Sequence, residues 1–132
     1  MSLNYVCPHC NGYLNLEDCL IFSVETKEKN AGLISLHPEL GNYEFKKHPD
    51  FNFKAGDELE FYCPVCHAPL ASDKHKKLAR IIMVDENNNE YEVLFSKVAG
   101  EKSTYKIEGE TMEIFGDDSA EYLDFLNLSM NF

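Results

Sequence analysis

The chain has 132 residues and a mass of 15.1 kDa, and its 44% hydrophobic residues suffice to bury one core or two small lobes that share it, which excludes a disordered tail. The formal net charge is −11, and the bias sharpens along the chain: residues 1–78 hold 11 acids against 8 bases, residues 79–132 hold 12 acids against 4. Such a surface repels phosphate backbones, so nucleic acid is an unfavourable partner, and no apolar run reaches membrane-spanning length.

The opening Met1-Ser2-Leu3-Asn4-Tyr5 has neither a basic start nor an apolar h-region, which leads to an expectation of the cytoplasm. Cys7-Pro8-His9-Cys10 follows at once. Cys19 then opens an apolar run over 19–26, which Lys27-Glu28-Lys29-Asn30 breaks before 31–36 resumes it, the pattern of a β-hairpin. The bland reading of Cys19 itself is a small buried hydrophobe on a strand. Turn residues His37-Pro38-Glu39-Leu40-Gly41-Asn42 precede a short alternating strand, Tyr43-Glu44-Phe45-Lys46, and a further turn at His48-Pro49-Asp50. Ala55-Gly56-Asp57 turns into Glu58-Leu59-Glu60-Phe61-Tyr62, a strand that delivers Cys63-Pro64-Val65-Cys66.

Beyond the basic cluster Lys74-His75-Lys76-Lys77, read as a solvated turn, two more hairpins are expected. The first pairs 80–84 with 90–96 across Asp85-Glu86-Asn87-Asn88-Asn89. The second pairs 104–108 with 111–115 through Gly109, with Tyr105, Ile107, Met112 and Ile114 on one side of a half-buried sheet. The period then changes: Asp118 with Glu121 resembles a capping box, and Tyr122, Leu123, Phe125, Leu126 and Leu128 form a helical stripe. The expected fold class is therefore mainly β, closed by one short C-terminal α-helix. Two lobes are expected to act as one domain: residues 1–72, carrying the cysteine pairs and an inserted β-hairpin, and residues 79–132, an acidic β-hairpin lobe.

The two cysteine pairs share the frame C-P-x-C-x-x-x-L at Cys7 to Leu14 and Cys63 to Leu70. A Cys-x-x-Cys turn converges two thiolates on one ion, and two such turns supply four soft ligands at the corners of a tetrahedron. Cys7, Cys10, Cys63 and Cys66 are thus the candidate metal ligands, in a chain whose five cysteines in a reducing compartment do not suggest a disulfide framework. Four bound thiolates leave no coordination position open, so the site reads as structural. Gly12 is expected to permit the sharp exit from the first turn.

This repeated frame resembles the zinc-ribbon family, in which two such turns clamp one zinc; the resemblance covers residues 5–14 and 61–70 and implies zinc on Cys7, Cys10, Cys63 and Cys66. The 52 residues between the pairs exceed a minimal ribbon, and His67-Ala68 stands where a glycine is common. The same residues also look like rubredoxin knuckles, which implies iron in place of zinc and an electron-carrying role. Cys7-Pro8-His9-Cys10 alone has the spelling of a thioredoxin-like motif, but Asn11-Gly12-Tyr13 reads as a turn where that motif starts a helix.

His9 and His67 flank the ligands in supporting or exposed roles, and His37, His48 and His75 lack metal-ligand spacing and read as turn residues. Asp57-Glu58 and Asp117-Asp118 read as turn or cap residues. No phosphate loop, nucleophile elbow or catalytic constellation is present. The leading expectation is a small cytoplasmic zinc protein that serves as a protein-interaction or regulatory module. The alternatives are a rubredoxin-like iron electron carrier and a nucleic-acid-binding ribbon using Lys74-His75-Lys76-Lys77.

Overall fold

A computed structural model describes residues 3–16, 18–72, 75–108 and 111–116. Ten strands follow in order: β1 (Asn4–Val6), β2 (Asn15–Leu16), β3 (Cys19–Glu25), β4 (Ala31–Leu36), β5 (Phe45–Lys47), β6 (Glu60–Tyr62), β7 (Leu78–Val84), β8 (Glu90–Ser96), β9 (Thr104–Glu108) and β10 (Thr111–Phe115). Their pairings are antiparallel and make two sheets. One runs β2-β3-β4-β5 with β6 beside β3; the other runs β1-β7-β8-β9-β10. The three long hairpins read from the sequence, β3/β4, β7/β8 and β9/β10, are present.

Period-two alternation decides which face of each strand is buried. In β3 the buried residues are Leu20, Phe22 and Val24; in β7 they include Ala79, Ile81 and Met83. These faces meet in one core with Tyr5, Leu14, Ile34, Phe61, Leu70 and Val93. Phe95 of β8 marks the contact between sheets, with its ring centroid 5.6 Å from Phe22 and 5.3 Å from Phe61. A smaller cluster, Leu78, Leu94, Tyr105 and Ile107 with Met112, occupies the other face of the second sheet. Cross-strand pairs Ile107 with Met112 and Tyr105 with Ile114 put these four residues on one side, as expected, but Ile114 remains 43% exposed.

The expectation of a closing helix requires correction. Residues 118–128, on which it was read, lie outside the described residues, and every regular element among the described residues is a strand. The physical reason is that the core face of the second sheet is already covered by the first sheet, so the described core closes as sheet on sheet. Among the described residues no helix is long and apolar enough to cross a membrane.

The chain crosses between the sheets repeatedly. β1 pairs with β7 in the second sheet, yet the residues after it form β2 of the first; β6 belongs to the first sheet, yet Ala71 bridges to Ala79 of β7. A second seam forms before β6, where Leu59 N–H donates to Lys97 O (2.9 Å), Gly56 N–H to Ala99 O (2.8 Å) and Ala99 N–H to Asp57 O (2.8 Å). Lys97 is 3% exposed and its ammonium lies 2.8 and 3.1 Å from the two oxygens of Glu60, which keeps the buried charge paired.

Gly32 of β4 lies under the Phe51 ring, and a Cβ there would stand 2.7 Å from Phe51 Cγ. Gly32→Ala is therefore expected to cost about 1–3 kcal/mol, the range for overpacking. The measurement is urea unfolding: a lower midpoint at unchanged slope agrees, and an unchanged midpoint contradicts the packing of Phe51 on β4.

Candidate metal centre

Two turns of matching construction close on each other. In the first, Asn11 N–H donates to Cys7 O (2.9 Å), Cys7 N–H to Gly12 O (3.0 Å) and Leu14 N–H to Tyr5 O (2.7 Å). In the second, His67 N–H donates to Cys63 O (2.8 Å), Cys63 N–H to Ala68 O (3.0 Å) and Leu70 N–H to Phe61 O (2.9 Å). The bridges Val6 to Tyr13 and Tyr62 to Pro69 complete the match. Pro8 and Pro64 occupy the position after the first cysteine, where a fixed φ favours a tight turn.

Both exits use a left-handed residue that is not glycine: φ is 62° at Asn11 and 64° at His67. This corrects the role expected of Gly12. Asparagine and histidine are among the residues that tolerate this region, so the reversal needs no glycine. Gly12 instead permits close approach, since a Cβ there would lie 3.2 Å from Cys10 Sγ and 3.4 Å from Val65 Cβ of the opposite turn. The His67 ring rests against Tyr62, with centroids 5.0 Å apart.

The geometry of the turns aims amides at sulfur. His9 N–H lies 3.3 Å from Cys7 Sγ, Gly12 N–H 3.3 Å from Cys10 Sγ, and the amides of Val65 and Cys66 lie 3.3 and 3.4 Å from Cys63 Sγ. Such donors stabilise thiolate over thiol. All four sulfurs fall within 4.8 Å of one another, with Cys7 to Cys66 and Cys10 to Cys63 both at 3.8 Å. That spacing is far longer than a disulfide bond, ~2.05 Å. Cys7 and Cys63 are buried against the core, whereas Cys10 and Cys66 are exposed, so the cluster is a surface site with a buried floor.

Protons are unevenly held by these sulfurs. Burial pushes the Cys7 thiol up to about 12, the sulfurs of Cys63 and Cys66 add to the rise, and the amides of Cys10 and His9 oppose it. At Cys63 burial again opposes ionisation, but the amides of Cys66 and Val65 and the neighbouring thiols of Cys66 and Cys7 bring it down to about 7. Cys66 is shifted upward: the Ala68 amide works against the rise, and burial with the sulfurs of Cys10 and Cys63 drives it. Of Cys7, Cys63 and Cys66, Cys63 therefore gives up its proton most readily. A cation that binds thiolates must displace the protons that Cys7 and Cys66 hold more tightly.

The other residues singled out in the sequence fall elsewhere. His9 is exposed. His37, His48 and His75 each accept through Nδ1 the amide two residues on, from Glu39, Asp50 and Lys77 at 3.0, 3.0 and 3.1 Å, which makes all three turn residues. Asp57 accepts the Lys54 amide at 2.8 Å, also in a turn, while Asp117 and Asp118 lie outside the described residues. Lys74 lies outside them too, and Lys76 and Lys77 belong to a turn. Cys19 corrects its expectation: it starts β3 on the face away from the core, half-buried, with Sγ 3.2 Å from Leu16 O. The turn after Cys10 also removes the structural setting of a thioredoxin-like motif, which requires a helix there.

Comparison of the chain with protein-family models, curated proteins and solved structures returned no match.

Because the ligand is the thiolate, zinc affinity is expected to rise with pH between about 6 and 9, with protons released on binding. Calorimetry in two buffers of different ionisation enthalpy measures that release. An affinity flat across this range, with no buffer dependence, contradicts the proton assignment.

Proposed function

We propose that the chain is a small zinc protein whose site, Cys7, Cys10, Cys63 and Cys66, is structural, and whose acidic surface docks to another protein as an adaptor or regulator. One observation carries the metal reading. A tetrahedron with metal–sulfur bonds of ~2.3 Å has sulfur–sulfur edges of about 3.8 Å, the separation of both Cys7 from Cys66 and Cys10 from Cys63. Four thiolates complete the shell, so the ion has no open position for substrate and acts by holding the chain together.

Charge supports the docking half. In residues 79–132 Arg80 is engaged by Glu92 at 2.6 Å, Lys97 by Glu60 at 2.8 Å and Lys106 by Glu113 at 3.6 Å. The surplus of acids therefore dominates the field a partner meets, which favours a basic protein surface and disfavours nucleic acid. A cytoplasmic setting suits a cluster that must keep its thiols reduced.

The exposure of Cys10 and Cys66 favours one second reading, an iron site with rubredoxin-like electron transfer, since sulfur at the surface shortens the path to a redox partner. Elemental analysis of the purified protein separates the two. One zinc per chain and no colour agree with the structural reading; one iron and a red oxidised form replace it. Cys63→Ser is expected to empty the site and to lower the melting temperature by more than 10 °C, because a metal site of this kind contributes ~10–16 kcal/mol in comparable peptides. Full metal content with unchanged melting refutes the ligand assignment. For docking, a captured partner is expected to dissociate as salt rises from about 50 to 500 mM, and salt-independent capture contradicts recognition by the acidic surface.

A further inference from the structure

Charge is unevenly spread along this acidic chain. Its two longest runs without Asp, Glu, Lys or Arg are residues 1–16 and 61–72, the segments that build the two cysteine turns. The turns meet, since a Cβ on Gly12 would lie 3.4 Å from Val65 Cβ and the four sulfurs fall within 4.8 Å of one another. Two uncharged segments therefore share one surface of a molecule whose net charge is −11. That surface is also apolar. The three most exposed large apolar side chains among the described residues, Tyr13 at 68%, Val65 at 66% and Leu16 at 64%, all lie in these two runs. Pro64 and Pro69 are exposed as well. Scattered apolar side chains need no explanation, but their concentration where charge is missing marks a contact surface.

What covers the surface follows from the charge at its centre. On the four-thiolate reading of the site, on which this inference rests, four thiolates around a divalent ion leave a net negative charge. The buried sulfurs are served from inside the turns: the amide of His9 lies 3.3 Å from Cys7 Sγ, and those of Val65 and Cys66 lie 3.3 and 3.4 Å from Cys63 Sγ. Cys10 and Cys66 are exposed, and neither run holds a lysine or arginine to meet them. A second copy of the chain would bring the same negative centre and be repelled. A partner that sets a cation between apolar groups is complementary, because the apolar groups cover Tyr13 and Val65 while the cation donates to the sulfurs of Cys10 and Cys66. We propose that the surface around the cysteine turns docks a strand or loop of another protein in which an arginine is flanked by large apolar side chains. Arginine suits the site better than lysine, since its planar, weakly hydrated guanidinium offers several donors and stacks on an aromatic ring such as that of Tyr13. This contact is separate from docking by the acidic β-hairpin half.

The test uses the full chain with its metal bound and three capped tripeptides: phenylalanine-arginine-leucine, the same peptide with citrulline in place of arginine, and glycine-arginine-glycine. Saturable binding of the first is expected, with amide shifts in the NMR spectrum concentrated at Cys10, Tyr13, Val65 and Cys66. Citrulline keeps the shape of arginine without its charge and is expected to weaken binding roughly five- to tenfold; the glycine-flanked peptide, which lacks apolar groups, is expected to lose about as much. Tyr13→Ser combined with Val65→Ser removes apolar area and touches no sulfur, so metal content is expected to hold while affinity for the first peptide falls about fivefold or more. The inference is overturned by equal binding of the arginine and citrulline peptides, by shifts that map to the acidic β-hairpin half, or by a dimer in sedimentation equilibrium that the double variant dissolves, which assigns the surface to a second copy. Metal analysis of the same sample separates the two possible failures: an empty site overturns the metal reading and this inference with it, and a filled site without peptide binding overturns this inference alone. The peptide comparison on the unaltered chain decides the matter should the double variant fail to fold.

Discussion

Four sulfurs meet where the chain passes from one sheet to the other, and the rest of the architecture depends on that meeting. β1 enters the first turn from the second sheet and β2 leaves it into the first; β6 enters the second turn from the first sheet, and the chain leaves toward β7 of the second. On the proposed reading, a cation on Cys7, Cys10, Cys63 and Cys66 would tie both crossovers to one point. The strands that lead into the turns, β1 and β6, have three residues each, too few for ladder hydrogen bonds alone to hold their register. Metal–thiolate bonding of the proposed kind would supply the missing specificity, and Cys7 and Cys63, both part of the core cluster, would carry it inward.

Much of this was legible in the sequence, for identifiable reasons. The repeated C-P-x-C frame encodes a local turn, so its residues announced the site without any knowledge of the fold. The hairpins β3/β4, β7/β8 and β9/β10 were legible because alternation and turn residues act over short range. Long-range choices were not. Nothing in Asn4-Tyr5-Val6 says that its partner is β7, since a three-residue strand pairs wherever the tertiary fold offers an edge. The closing helix was read from a local capping pattern and apolar stripe over 118–128, which lie outside the described residues, and such local signals do not reveal that the described core already closes as sheet on sheet. Asn11 was a missed signal, because asparagine directly after a Cys-x-x-Cys turn suits left-handed backbone; His67 offered a weaker cue.

The molecule divides its labour by position. The cysteine turns lie at the crossovers, the excess acids lie on the β-hairpin half, and an apolar cleft lies between the sheets beside the seam that pairs Leu59 with Lys97. The buried Lys97–Glu60 pair and the four-sulfur cluster flank β6 at its two ends, so a single short strand anchors both polar fastenings.

X-ray absorption spectroscopy of the purified protein at the edge of its bound metal tests the central claim most directly. The account predicts a single shell of four sulfur neighbours at ~2.3 Å with no nitrogen or oxygen contribution. A mixed shell, or sulfurs found paired in disulfides with no metal at all, would contradict it.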